Sequence, residues 1–268
     1  MRDEQLFLLQ VADIAPLGTG IIGRSFSHVA RTGSTNDDLK AQARAGAPEG
    51  LVLSADEQTS GRGRRGRSWS APAGSSLLLS VLLRPVWLLP AASFCLTIMA
   101  AVACAEAVEA VAPVRVGLKW PNDLEIDGLK SGGILIETEI TAGDMQWAIA
   151  GIGINVNWDP ASLPEFALSA TSLARAAGGP VSRLELLRAI IARLDERYAR
   201  LRVGAQTELF EAWKARLTSL GRSVHVEHAG HAFDGHTEDV TASGALIVRD
   251  LDGTRHELTA GDVTVRPR

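Results

Sequence analysis

The chain has 268 residues, of which 46% are hydrophobic and 22% charged, an ordinary balance for a globular protein with one sizeable core. Its formal net charge of -4 excludes an overall attraction to nucleic acids or anionic membranes, so any contact with a polyanion must be local. The two cysteines, Cys95 and Cys104, lack metal-ligand spacing and lie in an apolar segment, which predicts buried, reduced thiols. The N-terminal residues show no secretory signal pattern, and we therefore expect a cytoplasmic protein.

The first 25 residues contain no obvious pair of helices, so we expect no winged helix-turn-helix and no binding to DNA. A capped helix is predicted to begin at Ser34, and strands are predicted at residues 51–55 and 77–83. The uncharged stretch at residues 85–105 is long enough to raise the question of a membrane span. Prolines interrupt it, and acidic residues follow at helical spacing, so we interpret it as a buried helix and expect no membrane association.

Three β-rich runs come next, at residues 114–120, 133–139 and 147–154, separated by Gly, Asn and Asp. Together with the earlier elements they predict an α+β fold, a mixed β-sheet with helices on one face. Residues 182–202 have the apolar stripe of an amphipathic helix, and residues 207–217 predict a second, shorter one.

After residue 218 the pattern changes to short β runs punctuated by glycines, at residues 223–227, 245–249 and 263–266, which predicts a small all-β barrel. We therefore place a domain boundary here, with domains at residues 1–218 and 219–268. The histidines of this second part fit no zinc-binding pattern, so we assign no metal to it.

An arginine- and glycine-rich loop at residues 61–69 is the most informative segment. Its glycines let backbone amides approach a ligand, and its guanidinium groups match the geometry of carboxylates and phosphates. A solvated basic loop or an RNA-binding patch is the alternative, and composition alone does not decide between them. The loop directly follows a strand and Gln58, and it ends in Trp69, which could close over a purine ring. This position favours a ligand-binding lid.

Two further segments place lysines beside polar or glycine residues. Residues 119–124 end a predicted strand with a cation, an amide and a carboxylate, which can hold phosphate, adenine and Mg²⁺; the alternative is a strand exit in which Asp123 caps a turn. Lys130 precedes two glycines and an apolar strand, so its ammonium group could point into a cleft, although a surface lysine in a hairpin fits as well. The glycines at residues 151–157 permit close packing, either against protein or against a flat ligand.

Taken together and in this order, these segments resemble the catalytic domain of the biotin protein ligases. The matching residues are 33–36, 61–69, 119–124, Lys130 with 133–135, 151–157 and 170–173, and residues 260–263 resemble the SH3-like C-terminal domain of that family. The resemblance covers nearly the whole chain and implies the monofunctional type, with the class II synthetase-like catalytic fold. The sequence departs from the family pattern at His236 and Thr237, where small residues usually follow a glycine.

The resemblance implies that ATP and biotin are substrates, with Mg²⁺, that biotinyl-5′-adenylate is the intermediate, and that biotin is transferred to a lysine of a biotin carboxyl carrier protein. It implies a biotin site formed by Ser34, Thr35, Asn36, Gln58, Gly61, Arg62, Arg64, Lys130, Gly151 and Gly153. It implies an ATP site formed by Arg64, Arg65, Arg67, Trp69, Lys119, Asn122, Asp123, Lys130 and Asn155, with Asp123 as the Mg²⁺ ligand. Arg64 and Lys130 are the expected catalytic residues, because they offset the repulsion between a carboxylate and a phosphate.

Other functions stay open at this point. A lipoate or octanoate ligase of related fold is the nearest alternative, and the arginine-rich loop and residues 119–124 argue against it. A biotin-responsive repressor would need a DNA-binding module, and a non-catalytic biotin-, nucleotide- or RNA-binding protein would use the same loop without chemistry. A weak homodimer is also compatible with the family resemblance.

Overall fold

The computed structural model of the protein describes residues 18–162, 169–228, 231–259 and 262–265. Most of the N-terminal segment, on which the expectation of no DNA-binding module depends, therefore lies outside the described residues. Residues 260 and 261 of the C-terminal motif do so as well.

A seven-stranded mixed sheet forms the centre of the protein, in the order β1-β2-β3-β7-β6-β5-β4. Strands β1 and β2 are parallel, and all other neighbours are antiparallel. The strand bounds are β1 Ser25–Thr32, β2 Leu51–Gln58, β3 Ser76–Leu83, β4 Gly117–Lys119, β5 Asp123–Ile126, β6 Leu129–Thr141 and β7 Asp144–Asn155. This sheet confirms the predicted α+β class.

Within the described residues, five α-helices accompany the sheet: α1 Thr35–Arg44, α2 Phe94–Val111, α3 Leu173–Ala177, α4 Arg183–Arg202 and α5 Gln206–Lys214. The main helical layer lies on one face, because alternate residues of β3, such as Leu77 and Leu79, share a buried cluster with α2 and α4. Leu82, which points the other way, packs instead with Leu39 and Ala43 of α1. The short helix α1 therefore covers the opposite face, where it leaves part of the sheet open.

Helix α2 overlaps the uncharged stretch at residues 85–105, for which the sequence predicted a buried helix rather than a membrane span. The segment Pro90–Val111 is long and apolar enough to cross a membrane by length and composition. However, 12 of the 18 residues of α2 are buried, and the helix packs between the sheet, α4 and α5. It is therefore a core helix, as predicted. Cys95 and Cys104 are free, and burial raises the pKa of the Cys104 thiol to about 12.

Several elements of the fold were missing from the sequence prediction, and they have a common cause. Strand β1 pairs with β2 at the edge of the sheet, and none of its eight residues is buried. Strand β5 is short, and the predicted strand at residues 114–120 shrinks to the three residues of β4. A strand that buries few apolar side chains leaves only a weak alternating pattern in the sequence.

The C-terminal part forms a second sheet of five antiparallel strands, ordered β11-β10-β9-β8-β12, which fits the predicted SH3-like fold. The strands are β8 Ser223–His228, β9 His231–Val240, β10 Leu246–Asp250, β11 Arg255–Leu258 and β12 Asp262–Val265. Thr237, one of the departures from the family pattern, is buried, and its hydroxyl group donates a hydrogen bond to the Ser219 carbonyl oxygen. The side chain of Trp120 joins the two sheets, because its indole N–H donates to the carbonyl oxygen of Gly244 over 2.9 Å.

Candidate functional site

A cleft of about 400 Å³ opens on the same face of the main sheet as α1, over the part that this helix does not cover. Glycines of β6 and β7 form its floor, and Gly133 lies directly opposite Gly153 in the strand register. A Cβ atom at Gly153 would lie only 2.6 Å from Cε2 of Trp69, and one at Gly151 only 2.2 Å from Oδ1 of Asn36. The floor is flat because its glycines lack side chains, and this allows side chains from other elements to lie directly on it.

The arginine- and glycine-rich loop is folded as a small hairpin over this floor, and it is called the lid hairpin below (residues 61–69). Arg62 forms a β-bridge with Ser68, the Gly63 amide donates to the Arg67 carbonyl oxygen, and the Trp69 amide donates to the Gly61 carbonyl oxygen. These bonds direct the Trp69 ring onto Gly153. The indole N–H of Trp69 is buried and has no acceptor among the described residues.

Cationic side chains line one end of the cleft, each next to an oxygen acceptor. Lys130 Nζ lies 2.7 Å from Asp123 Oδ1 and 5.7 Å from the centroid of the Trp69 ring. Arg64 donates to Asn122 Oδ1 over 3.2 Å, and the Asn122 amide in turn donates to a backbone carbonyl oxygen of β6. This part of the cleft can therefore attract and orient an anion.

Lys119 is the third cation at this end, and it lies 3.8 Å from Glu125. Burial raises the pKa of Glu125 above its ordinary value, and the charge of Lys119 only partly offsets this effect. Asp123 is the carboxylate that lines the cleft beside these groups. No group of three or more candidate metal ligands occurs among the described residues. One carboxylate is nevertheless enough for Mg²⁺, which commonly takes its other oxygens from phosphates and water.

A chain of hydrogen bonds lines the other end of the cleft. The backbone N–H and the hydroxyl group of Thr35 both lie within 3.0 Å of Gln58 Oε1. The Thr35 hydroxyl group is 2.7 Å from that of Ser80, which donates to Asn36 Oδ1 over 2.6 Å. Thr35, Asn36 and Ser80 are all buried, so their polar atoms depend on one another for hydrogen bonding.

This series of hydrogen bonds ends at Glu137, a residue that the sequence analysis did not assign to the site. Its carboxylate accepts a hydrogen bond from Asn36 Nδ2 at 2.8 Å, and it also binds Lys40 at 2.5 Å and Arg62 at 2.8 Å. Burial would raise the pKa of Glu137, but the hydrogen bonds from Lys40 and Asn36 and the charges of Lys40 and Arg62 outweigh it and hold the pKa below its ordinary value. Glu137 is therefore ionised at neutral pH.

The cleft brings together nearly all the residues that the sequence analysis singled out. The lining includes Ser34, Thr35, Asn36, Gln58, Arg62, Arg64, Arg65, Arg67, Trp69, Lys119, Asn122, Asp123, Lys130, Gly151 and Gly153. Two predicted residues do not line it. Gly61 lies at the base of the lid hairpin, and Asn155, expected to face adenine, is buried and donates to the Thr171 carbonyl oxygen over 3.1 Å.

Besides Glu137, sequence reasoning missed Ser80 and Glu227. Ser80 interrupts the run of apolar residues that follows Ser76 in β3, and a hydroxyl group at a buried strand position is the signal that could have revealed it. Glu227 lines the cleft from β8 of the C-terminal sheet, and no local pattern indicates this. The second sheet thus contributes a carboxylate to the edge of the site.

Known protein families and individual proteins are similar to this chain. The model of the biotin/lipoate A/B protein ligase family matches residues 29–155, and that of the biotin protein ligase C-terminal domain matches residues 219–266. The biotin--[acetyl-CoA-carboxylase] ligase of Mycobacterium tuberculosis is 36% identical over 252 residues, which cover 92% of this chain and 91% of that protein. The bifunctional ligase/repressor BirA of Bacillus subtilis is 32% identical over 89% of this chain and 74% of its own length.

Solved structures show the same likeness. The biotin protein ligase from Aquifex aeolicus in complex with biotin and ATP superimposes with a TM-score of 0.76 at 26% identity, and the match covers 91% of this chain and 100% of that one. The biotin protein ligase from Leishmania major in complex with biotinyl-5-AMP gives a TM-score of 0.62 at 25% identity, covering 88% of this chain and 99% of that one.

Proposed function

This chain belongs to the biotin protein ligase family and is a biotin ligase, and we propose that its cleft makes biotinyl-5′-adenylate from biotin and ATP and then transfers biotin to a lysine of a carrier protein. The observation that carries this proposal is the convergence of cations from the lid hairpin, from the end of β4 and from β6 over one glycine floor. The structures of relatives with biotin, ATP and biotinyl-5-AMP support it.

In the first step a carboxylate oxygen of biotin attacks the α-phosphorus of ATP, and the bond from that phosphorus to the bridging oxygen of pyrophosphate breaks. Two anions must approach each other, so cations are required where charge accumulates. We assign this role to Arg64 and Lys130. Their acceptors, Asn122 and Asp123, hold them at the phosphate end of the cleft.

In the second step a lysine amine of the carrier attacks the carbonyl carbon of the mixed anhydride, AMP leaves with the electron pair of the C–O bond, and the nitrogen loses a proton. No side-chain nucleophile of this chain is needed. The relatives named as acetyl-CoA-carboxylase ligases support a carrier domain of a biotin-dependent carboxylase as the acceptor.

The remaining assignments follow the geometry of the cleft. Thr35, Asn36, Gln58 and Arg62 would bind the ureido ring and Gly151 would border the apolar chain of biotin, while Trp69 and Asn122 would face adenine. Lys119 would bind phosphate, and Asp123 would hold Mg²⁺, which neutralises phosphate charge when bound. Asn155, at the end of β7, would support the site by holding the Thr171 carbonyl oxygen rather than by contacting adenine.

Three further parts of the proposal concern organisation. We place the catalytic domain at residues 1–218 and the C-terminal domain at residues 219–268, and we expect no binding to DNA or membranes and a cytoplasmic enzyme. Strand β1 is an edge strand, which offers a pairing surface for a weak homodimer. Sedimentation velocity over a concentration series tests this last point.

The decisive experiment measures exchange of labelled pyrophosphate into ATP by the purified protein with Mg²⁺, with biotin, lipoate or octanoate as the acid. We expect exchange with biotin and a preference over lipoate of up to roughly 10⁴ to 10⁵, because polar groups built for a ureido ring would be left unpaired by lipoate. Comparable exchange with lipoate would instead indicate a lipoate ligase. An absence of exchange with every acid would indicate a binding module without chemistry.

A further inference from the structure

We propose that Glu137 is a positioning residue that orients the amide group of Asn36 and holds Arg62 of the lid hairpin, so that one carboxylate prepares both the biotin end of the cleft and its cover. This inference rests on the proposed function, because it assumes that this end of the cleft binds biotin. It assigns a role to Glu137 and Ser80, neither of which contacts substrate in the proposal.

Three hydrogen-bond donors meet at the carboxylate of Glu137. Asn36, Lys40 and Arg62 all donate to Glu137, from helix α1 and from the lid hairpin. An ionised carboxylate only accepts hydrogen bonds and has about four acceptor positions, whereas an amide of the same size accepts on one oxygen. Glu137 is therefore suited to this set of donors in a way that its isosteric amide is not.

The hydrogen bonds that lead from Glu137 to Ser80 have a fixed direction. Because Glu137 only accepts, the Asn36 amide must turn its Nδ2 toward it and its Oδ1 toward Ser80. Ser80 then donates its hydroxyl proton to Asn36 Oδ1. The single hydroxyl proton of Thr35 is shared between Ser80 and Gln58 Oε1, and the Thr35 backbone N–H donates to the same Gln58 oxygen. The Gln58 oxygen is thus turned toward α1, and its Nε2 is the atom left to donate to a ligand oxygen.

The charges around Glu137 also support this role. Arg62 and Lys40 each have a second, more exposed carboxylate near them, that of Asp37, at 2.6 Å and 3.4 Å. Two cations and two anions therefore balance at the junction of α1, β6 and the lid hairpin. Removal of the charge of Glu137 leaves both cations on Asp37, which is half exposed and screened by solvent. Arg62 is then expected to leave its position for part of the time.

Glu137→Gln tests both halves of the inference, and Glu139→Gln is its matched control. Glu139 lies two residues further along β6, and its carboxylate lies 3.8 Å from Arg44, outside the cleft. For Glu137→Gln we expect the KM for biotin in pyrophosphate exchange to rise about 10-fold or more while kcat changes by less than about 3-fold, because orientation rather than chemistry is lost. Glu139→Gln should match the wild type.

A second readout does not depend on activity. Trypsin cleaves after arginine, and Arg62 is held at its guanidinium group by two carboxylates, so cleavage between Arg62 and Gly63, followed by mass spectrometry without ligands, reports on the lid hairpin. We expect cleavage there to be about 3-fold faster or more in Glu137→Gln than in Glu139→Gln. Glu137→Asp keeps the charge and the acceptors on a shorter side chain, and should lie between the wild type and Glu137→Gln in both assays.

The outcomes separate the two proposals. If the wild type shows no biotin-dependent exchange, the proposed function fails, and the trypsin assay still tests the contact with Arg62. If the wild type exchanges and Glu137→Gln equals Glu139→Gln in both assays, the inference about Glu137 is overturned. A folded Glu137→Asp that is more impaired than Glu137→Gln overturns it too, because charge would then not be the cause, and this variant keeps the test open should the glutamine variant fail to fold.

Discussion

Substitution of Gly153 by alanine should impair the use of ATP far more than the use of biotin. The new methyl group would lie 2.6 Å from Cε2 and 2.8 Å from Cζ2 of Trp69, which lies flat on this residue. Carbon atoms in contact prefer about 3.5 to 4.0 Å, so the ring would have to move by about 1 Å. Since the lid hairpin fixes the backbone of Trp69 through Gly61, the indole ring rather than the strand is expected to move.

Overpacking of this kind typically costs about 1 to 3 kcal/mol. If that cost falls on the position in which Trp69 faces adenine, kcat/KM for ATP should fall by a factor of roughly 5 to 150, from the ordinary relation between free energy and rate. The matched control is Gly133→Ala. Its methyl group would lie 3.4 Å from Cζ3 of Trp69 and from Asp123 Oδ1, which are ordinary contacts, so we expect less than about a 3-fold change.

Steady-state pyrophosphate exchange with ATP and biotin varied in turn gives both constants. Tryptophan fluorescence during titration with ATP reports on the Trp69 ring, against the other five tryptophans as a constant background. Equal effects of the two alanine variants, or a loss confined to the biotin KM, would refute the reasoning, because the different distances of the two methyl groups from the Trp69 ring would then have no consequence. Circular dichroism establishes that both variants are folded.

Three other predictions concern the cations and the buried ion pair. Lys130→Ala should lower the rate of pyrophosphate exchange by about 10² to 10³, and retention of most of the rate would exclude it as a catalytic cation. Arg64→Gly should release biotinyl-adenylate to hydrolysis, measured as AMP formed without acceptor protein, and an unchanged AMP rate would count against a lid role. Asp56→Asn leaves Arg183, which is 1% exposed, beside a neutral amide and should cost about 3 to 5 kcal/mol of unfolding free energy. Burial would raise the pKa of Asp56, but hydrogen bonds from His28 and Arg183 hold it below its ordinary value, so this stabilisation is present above about pH 4 and is lost as the pH falls through the lowered pKa. Urea unfolding at several pH values checks this, and a difference from wild type that grows at acid pH would contradict it.

The sequence predicted best those elements that bury a continuous apolar surface. Helices α2 and α4 and strands β3 and β7 were found close to their observed positions, since each fills a core position along its length. Strand β9 was not found. It contains His, Asp, Gly, Thr and Glu, and its pairing with β8 and β10 comes from backbone hydrogen bonds that leave no mark on side-chain pattern.

The candidate site divides in the same way. Segments with local chemistry, such as the lid hairpin and the Lys130 region, could be named from the sequence. Glu137 could not, because its partners Asn36 and Arg62 are 101 and 75 residues away, and only the pairing of β6 beside β7 brings it under α1. A glutamate in a strand is ordinary by itself, and its role depends on donors that the fold supplies.

The two glycines of β7 show that a recognised motif does not by itself indicate which of its residues belongs to which part of the site. Gly151 and Gly153 are two residues apart and therefore on the same face of the strand, about 7 Å from each other. Asn36 lies on the first and Trp69 on the second, so one strand separates the proposed biotin end of the floor from the proposed adenine end by a fixed distance. In the sequence the two glycines look alike, since Gly151 stands between Ala150 and Ile152 and Gly153 stands between Ile152 and Ile154, all of them apolar. They become different only when α1 and the lid hairpin, which are separated from β7 along the chain, each cover one of them. The order of the two proposed subsites along β7 is therefore a property of the tertiary structure, and the Lys130 ammonium group, 5.7 Å from the Trp69 ring, lies on the side of the proposed adenine and phosphate end.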